Sequence, residues 1–330
     1  MEKKQKKFIV ITTINKKTDA IKKFSEFKDW KIILVGDKKS KQIKNEDNII
    51  FLSVKDQNKL DFEVIKYLPY NHYSRKNIGY LYAISLGADI IYDTDDDNTP
   101  YNNWSFPEFK TNNLIKNNNK FLNIYTYFTR KKIWPRGYPL NEINKIQKLK
   151  KEHQTELKIG AWQGLADIDP DVDAIYRLTN NKKIKFNNKK PIALNKNTYC
   201  PFNSQNTTWN KKVFYSMYLP STVSFRFTDI LRGYIAQRLF WEEQLHLGFT
   251  KATVYQNRNS HNLMKDFDDE IEIYLNIKAI IKILDEIKLE GDYKENLKSI
   301  YKELERNNYI KSDELTICEA WLNDLNSIIN

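Results

Sequence analysis

Ala88-Asp-Ile-Ile-Tyr-Asp-Thr-Asp-Asp-Asp-Asn98 decides how the chain is read. Residues 88–92 are an apolar-centred run of strand length, and Asp93, Asp95, Asp96 and Asp97 follow together where that strand ends. Adjacent carboxylates repel one another. Hard divalent cations such as Mn²⁺ or Mg²⁺, which prefer oxygen ligands and bridge to substrate phosphates, relieve that repulsion. An acidic triplet elsewhere reads as a solvated turn. Directly behind a buried strand it reads as a metal site and implies a substrate that carries phosphate.

The segments before it alternate as in an α/β sheet. Residues 8–14 (FIVITTI) predict a strand, 17–28 a short helix, 30–35 a second strand and 48–54 a third. A further helix is expected from Ser74 as N-cap, with Ile78, Leu81, Tyr82 and Leu86 at helical spacing and Gly87 as its stop. Such alternation implies a mainly parallel sheet whose ligands collect at the carboxyl ends of strands, where both the acidic run and Gly36-Asp37 fall. Arg75 and Lys76 open that helix against its dipole. Either a bound phosphate resolves the conflict or the two side chains point into solvent. With nine glycines the chain carries neither a G-x-G-x-x-G fingerprint nor a P-loop.

Composition places the 330 residues among ordinary globular proteins, 41% hydrophobic and 13% aromatic, enough for one large core or two modest ones. The net charge of +12 suits polyanions, yet the lysines are spread along the sequence rather than gathered in an arm, so most are read as solvated surface and no nucleic-acid partner is expected. Cys200 and Cys318 stand far apart, which supports neither a disulfide framework nor a zinc site. No signal peptide or transmembrane segment is read, and the expected location is the cytoplasm.

Trp134-Pro-Arg-Gly-Tyr-Pro139 restricts the backbone around Arg136, which either holds its guanidinium for a ligand or makes an ordinary surface turn. The carboxylates of Asp167, Asp169, Asp171 and Asp173 could bind a cation, bind sugar hydroxyls or stand exposed; they lack the EF-hand pattern. Asn203, Gln205, Asn206 and Asp229 suit sugar hydroxyls, or they satisfy loop backbone. A helix is expected over 230–240, capped by Thr228 or Asp229. His261 reads as a late metal or phosphate contact, or as structural. Helices expected over 271–287, 293–306 and 314–328 read as packing or assembly rather than chemistry, homo-oligomerisation included.

Arg75-Lys-Asn-Ile-Gly-Tyr80, residues 93–98, 134–139, 169–174, Pro201-Phe-Asn-Ser-Gln-Asn206 and 225–238, in this order, resemble the STELLO-type glycosyltransferase domain over roughly residues 8–268. A more distant likeness runs to the reversibly glycosylated polypeptides, which are UDP-arabinopyranose mutases. Both resemblances imply an α/β fold of the GT-A type over 1–267, followed by a helical extension over 268–330. They imply a metal, Mn²⁺ or Mg²⁺, on the aspartate triplet, expected at Asp95 and Asp97, and a nucleotide-sugar donor, a UDP-sugar, expected to be bound by Thr12, Asp37, Arg75, Asn77 and Asp96. Arg136, Asp171, Asp173 and Asp229, with Asn203, are then expected at the donor-sugar and acceptor cleft, the acceptor being a glycan or a lipid-linked glycan. In the mutases the glycosylated arginine falls on Arg136. Those proteins also have Cys where Asn98 stands, and the 201–206 loop follows STELLO usage, so sugar transfer ranks above ring isomerisation or a non-catalytic scaffold. No counterpart of the STELLO membrane anchor is read in these residues, so a Golgi role is not the expectation.

Overall fold

The computed structural model describes residues 5–180, 182–258 and 262–329. One mixed sheet organises them. Strands β1 (Lys7–Thr12), β2 (Trp30–Val35), β3 (Ile49–Leu52) and β4 (Ile90–Thr94) run parallel in the order β3-β2-β1-β4. The sheet continues through β5 (Asn98–Pro100), β6 (Lys110–Lys116), β7 (Lys150–Asp167), β8 (Ile192–Leu194), β9 (Asn206–Asn210) and β10 (His246–Gln256). Its order is β3-β2-β1-β4-β9-β7-β6-β8-β10-β5, with β7 also pairing β10. β9 meets both β4 and β7 antiparallel, and beyond it parallel pairs (β7 with β10, β6 with β8) alternate with antiparallel ones, so the sheet is mixed and the expectation of a mainly parallel sheet is corrected. The cause lies in the middle of the chain. β7 is half polar, with an exposed start and a buried end, and its period therefore shows no single pattern to read.

The helices are α1 (Asp19–Phe24), α2 (Val54–Gln57), α3 (Lys76–Ser85), α4 (Tyr125–Phe128), α5 (Ala174–Thr179) and α6 (Thr228–Glu242), followed by α7 (Leu263–Glu286), α8 (Tyr293–Arg306) and α9 (Asp313–Ile329). α3 carries Gly79 against the sheet, where a Cβ would come within 2.5 Å of Val35 and 2.6 Å of Val10. Only a glycine lets the helix lie that close, and the approach brings the start of α3 beside the end of β4. That start differs from the expected one: a 3₁₀ turn over Tyr73–Arg75 precedes α3, and the His72 ring, not Ser74, accepts the capping hydrogen bond, from the Ser74 amide. Gly87 ends the helix with φ +81°, as its position predicts. α6 likewise starts without a side-chain cap, and Thr228 Oγ1 donates to the Ser224 carbonyl instead.

The C-terminal helices share the main core. Ile277, Ile281, Ile300 and Trp321 are buried in the same apolar cluster as Ile78, Leu231 and Trp209. α9 is tied to the first half of the chain by Asp324, whose carboxylate accepts from the amides of Glu63 (2.7 Å) and Val64 (2.8 Å). Glu314 does the same for the amides of Ser221 and Thr222 and for the Tyr218 hydroxyl.

Candidate functional site

A cleft of about 460 Å³ opens at the carboxyl ends of β1, β2 and β4, within the usual size of small-molecule sites. Its walls bring together Thr12, Asp37, Arg75, Asp95, Asp96, Asp97, Arg136, Asp171 and Asp229 from segments scattered over more than two hundred residues. Asn77 and Asp173, expected here, are not in the wall. Asn77 is fully buried and clamps Leu219, accepting from its amide and donating to its carbonyl, both at 2.9 Å. Asp173 caps α5 by accepting from the Tyr176 amide and also accepts from Trp134 Nε1; burial pushes its carboxyl up to about 7. His261 lies outside the described residues.

The acidic run is divided by its surroundings. Asp93, wholly buried at the end of β4, faces Lys76 Nζ at 2.6 Å and Arg232 Nη1 at 2.9 Å. Lys76 thus settles its unfavourable place at a helix start on a carboxylate, and Arg75 settles its own on Gln57 and the Tyr70 ring, so neither requires a bound phosphate. Asp96 turns toward β1, accepting from Thr13 Oγ1 and from Asn15 Nδ2. Asp95 and Asp97 remain on the cleft. Loss of hydration pushes the Asp95 carboxyl up to about 7 despite Lys76, with Asp97 adding repulsion, and loss of hydration likewise raises Asp97. Asp95 accepts from Tyr73 Oη at 2.7 Å and Asp97 from Gln256 Nε2 at 2.9 Å, so both are oriented.

Two oriented oxygen ligands whose ionisation is opposed fit a hard divalent cation that completes its shell with water and phosphate. Among the described residues no set of three or more His, Cys, Asp or Glu side chains is arranged around one point to hold a metal. Any cation here would rest on Asp95 and Asp97 together with its ligand. The four carboxylates from Asp167 to Asp173 form no such group, since each is committed to its own partner: Asp167 to Tyr101 and the Phe186 amide, Asp169 to Arg177, Asp171 to Arg136 and Asp173 to α5.

Arg136 is the largest departure from expectation. Its Nε donates to Asp171 (2.9 Å), Nη2 to Asp171 (2.7 Å) and Asp229 (2.9 Å), and Nη1 to Asp229 (3.0 Å) and the Arg226 carbonyl. Every N–H of the guanidinium therefore ends on the protein, and none is left for a diphosphate. Gly137 (φ +86°) makes the turn that drives it inward. Burial alone would raise the Asp171 carboxyl, but Arg136 beside it brings it below the ordinary range; burial would lower Arg136, and the two aspartates reverse that. A carboxylate held this low is a weak proton acceptor.

Arg177, Arg226 and Arg258 line the cleft as well, and none was singled out from the sequence for a ligand. Burial first, then the other two arginines, brings Arg258 down to about 10, which marks a crowded cationic wall. Arg226 is fixed by Glu270 of α7, a fully buried carboxylate 2.5 Å from its Nε that also accepts from the Ala174 amide at 2.7 Å. The C-terminal helices thus reach the site, contrary to their reading as packing alone. Spacing offers no hint of this, because Glu270 looks like any exposed helix glutamate. Of the amides expected at sugar hydroxyls, only Gln205 lines the cleft; Asn203 Oδ1 accepts from the Gln205 amide and Asn206 bonds the Leu165 carbonyl, both serving the backbone.

Residues 226–329 match the family model described as STELLO glycosyltransferases. The chain is 30% identical over 301 residues to the probable glycosyltransferase STELLO2 of Arabidopsis thaliana, covering 84% of this chain and 39% of that protein. To the probable glycosyltransferase STELLO1 of the same plant it is 28% identical over 343 residues, covering 97% and 44%. The chain thus spans less than half the length of these curated relatives. Among solved structures, glucosyl-3-phosphoglycerate synthase from Mycobacterium tuberculosis in complex with phosphoglyceric acid aligns at a TM-score of 0.38 and 8% identity, over 87% of this chain and 82% of that one.

Proposed function

As a relative of the STELLO glycosyltransferases, we propose, this chain is a GT-A glycosyltransferase that takes its sugar from a nucleoside diphosphate, a UDP-sugar, with the help of Mn²⁺ or Mg²⁺. The observation that carries the reading is the pairing of Asp95 and Asp97 beside a strand-end pocket lined by Thr12, Thr13, Gly36, Asp37 and Arg75. Asp37, fixed by the Asn71 amide at 2.6 Å, faces the base or ribose, and Asp96 stands between this pocket and the metal carboxylates. When bound, the cation supplies a Lewis acid that neutralises the leaving diphosphate. Arg177, Arg226 and Arg258 add fixed positive charge to the cleft lining, favourable to the negative charge that builds up as the glycosyl–phosphate bond breaks. The anomeric carbon passes to an acceptor oxygen, the acceptor hydroxyl loses its proton, and the nucleoside diphosphate departs.

Arg136 keeps Asp171 ionised and holds both Asp171 and Asp229 in place at the sugar end. A mutase that carried the sugar on Arg136 would need a guanidinium nitrogen free to attack, and all of them are engaged. Transfer to a glycan acceptor therefore stays ahead of ring isomerisation. We place the activity in polysaccharide or glycan synthesis and in the cytoplasm, where buried, unpaired Cys200 and Cys318 stay reduced; no described helix is long and apolar enough to cross a membrane. The test incubates the purified chain with a panel of nucleotide sugars and glycan acceptors, with Mn²⁺ or with chelator, and separates the nucleotide products. Release of nucleoside diphosphate that requires cation and rises with acceptor is expected. Pyranose–furanose exchange without release, or no reaction together with no UDP binding, overturns the proposal.

A further inference from the structure

The lysines that look dispersed in the sequence converge in the fold. Arg130, Lys131 and Lys132 leave α4 on one exposed loop, and Lys182, Lys183, Lys185 and Lys190 stand exposed on a second. The two loops are joined where Lys131 Nζ donates to the Lys183 carbonyl at 3.3 Å and the Asn187 amide to the Phe128 carbonyl at 2.8 Å. A third segment closes the patch: Lys132 Nζ donates to Asn144 Oδ1 at 2.8 Å, and Lys151 and Lys189 lie over the Tyr127 ring at 5.0 and 4.8 Å. A shallow cavity lined by Thr129, Arg130, Lys131, Lys185 and Asn187 sits at its centre.

The charge is uncompensated. No Asp or Glu occurs from residue 174 to 228, and among the described residues none of these lysines, nor Arg130, forms an ion pair. Glu152, the nearby acid on β7, is taken by Lys116 and Lys150. The patch is also rigid, since Ile184 bridges Ile168 through two backbone bonds and the Phe186 amide donates to Asp167. At its margin Ile146 projects with 88% of its surface exposed, between Lys148 and Lys145, the latter paired with Glu142.

We infer that this face docks the protein on an anionic lipid surface. Its cations are lysines with a single arginine, point charges suited to a diffuse negative surface rather than forks that read phosphates or base edges. Tyr127 and Phe186, the aromatic rings within the patch, are buried and offer no platform on which a nucleic-acid base could stack. An exposed isoleucine among lysines suits insertion at the headgroup boundary, whereas it contributes nothing to binding a nucleic acid or a polyanionic glycan. The same loop runs from Lys132 directly into Arg136, so docking here would bring the sugar end of the cleft close to the bilayer.

Co-sedimentation of the full chain with phosphatidylcholine vesicles, with and without about one quarter phosphatidylserine, tests this. Binding to the anionic vesicles alone is expected, lost at high salt and weakened about tenfold or more in a Lys131→Glu, Lys132→Glu, Lys183→Glu, Lys185→Glu variant. The corresponding Lys→Gln set, with thermal melts of both variants, guards against a folding defect. Ile146→Ser should weaken vesicle binding several-fold and leave binding to a duplex oligonucleotide or to heparin unchanged. Equal binding to neutral vesicles, undiminished binding by both lysine variants, or oligonucleotide or heparin binding tighter than vesicle binding overturns the inference.

Discussion

Replacing Arg136 by alanine should cost stability before it costs chemistry. The guanidinium is nearly buried and directs all its donors to two buried aspartates and one carbonyl. Its removal takes away the direct partner of Asp171 and Asp229, leaving Asp171 only the fields of Arg226 and Arg177, and breaking a buried pair in this way costs about 3–5 kcal/mol. Arg136→Lys keeps the charge but offers three donors from one point, so at least two charge-assisted bonds are lost, each worth about 1.5–3 kcal/mol. We therefore expect the lysine variant to lose about 3 kcal/mol or more, close to the alanine variant rather than to wild type. Urea titrations followed by tryptophan fluorescence give these differences directly, and intact-mass spectrometry after incubation with donor sugar should show no glycosyl adduct on the wild type. A wild-type urea midpoint in Arg136→Ala, or an adduct that disappears in that variant, would refute the reasoning and return Arg136 to the chemistry.

Asp95→Asn and Asp97→Asn should each weaken UDP binding at least about tenfold in the presence of Mn²⁺ while melting normally, as calorimetry with and without chelator will show. Cation affinity should fall about tenfold from pH 8 to pH 6, because Asp95 must shed a proton held up to about 7 before it can serve as a ligand. The stability effect has its own sign: Asp95 and Asp173 keep protons in the folded state that the unfolded chain has lost, so their contribution is complete below about pH 4 and disappears as pH rises through about 7, which chemical denaturation across that range measures. Glu270→Gln should lower kcat by releasing Arg226 and should also lower the melting point, because it breaks a buried ion pair even though the amide can still accept from the Ala174 amide; kinetics beside a thermal melt measure both. Gly233→Ala should destabilise by about 1–3 kcal/mol or more, its Cβ lying 2.3 Å from the Phe202 carbonyl oxygen.

The strand-end half of the cleft was legible because its strands are short, apolar and punctuated by the residues that line it: β1 ends at Thr12, β2 at Val35 just before Gly36, and β4 runs into the acidic run. The long β7, half exposed and half buried, carries no single period, and β9 and β10 are hidden among polar residues that pair inside the sheet. Arg136 shows the limit more sharply. Two prolines and a glycine announce a restrained loop, but whether the restrained side chain meets a ligand or two aspartates 35 and 93 residues further on is a tertiary fact. The basic face has the same cause, since three lysine-bearing segments far apart in sequence meet only when α4, β7 and the loop after α5 are in place.

The clasp between α9 and the start of the chain has a consequence for synthesis. Asp324 meets the Val64 amide across 260 residues, so at about 5–20 residues per second the first half waits roughly 13–50 s for its partner to be translated. During that interval the apolar side of α3, which α9 will cover, faces the ribosome surface and its attendant chaperones. Ribosome-associated holdases should therefore engage this nascent chain between the emergence of α3 and the release of its last helix, and a truncation that removes α9 should prolong that engagement.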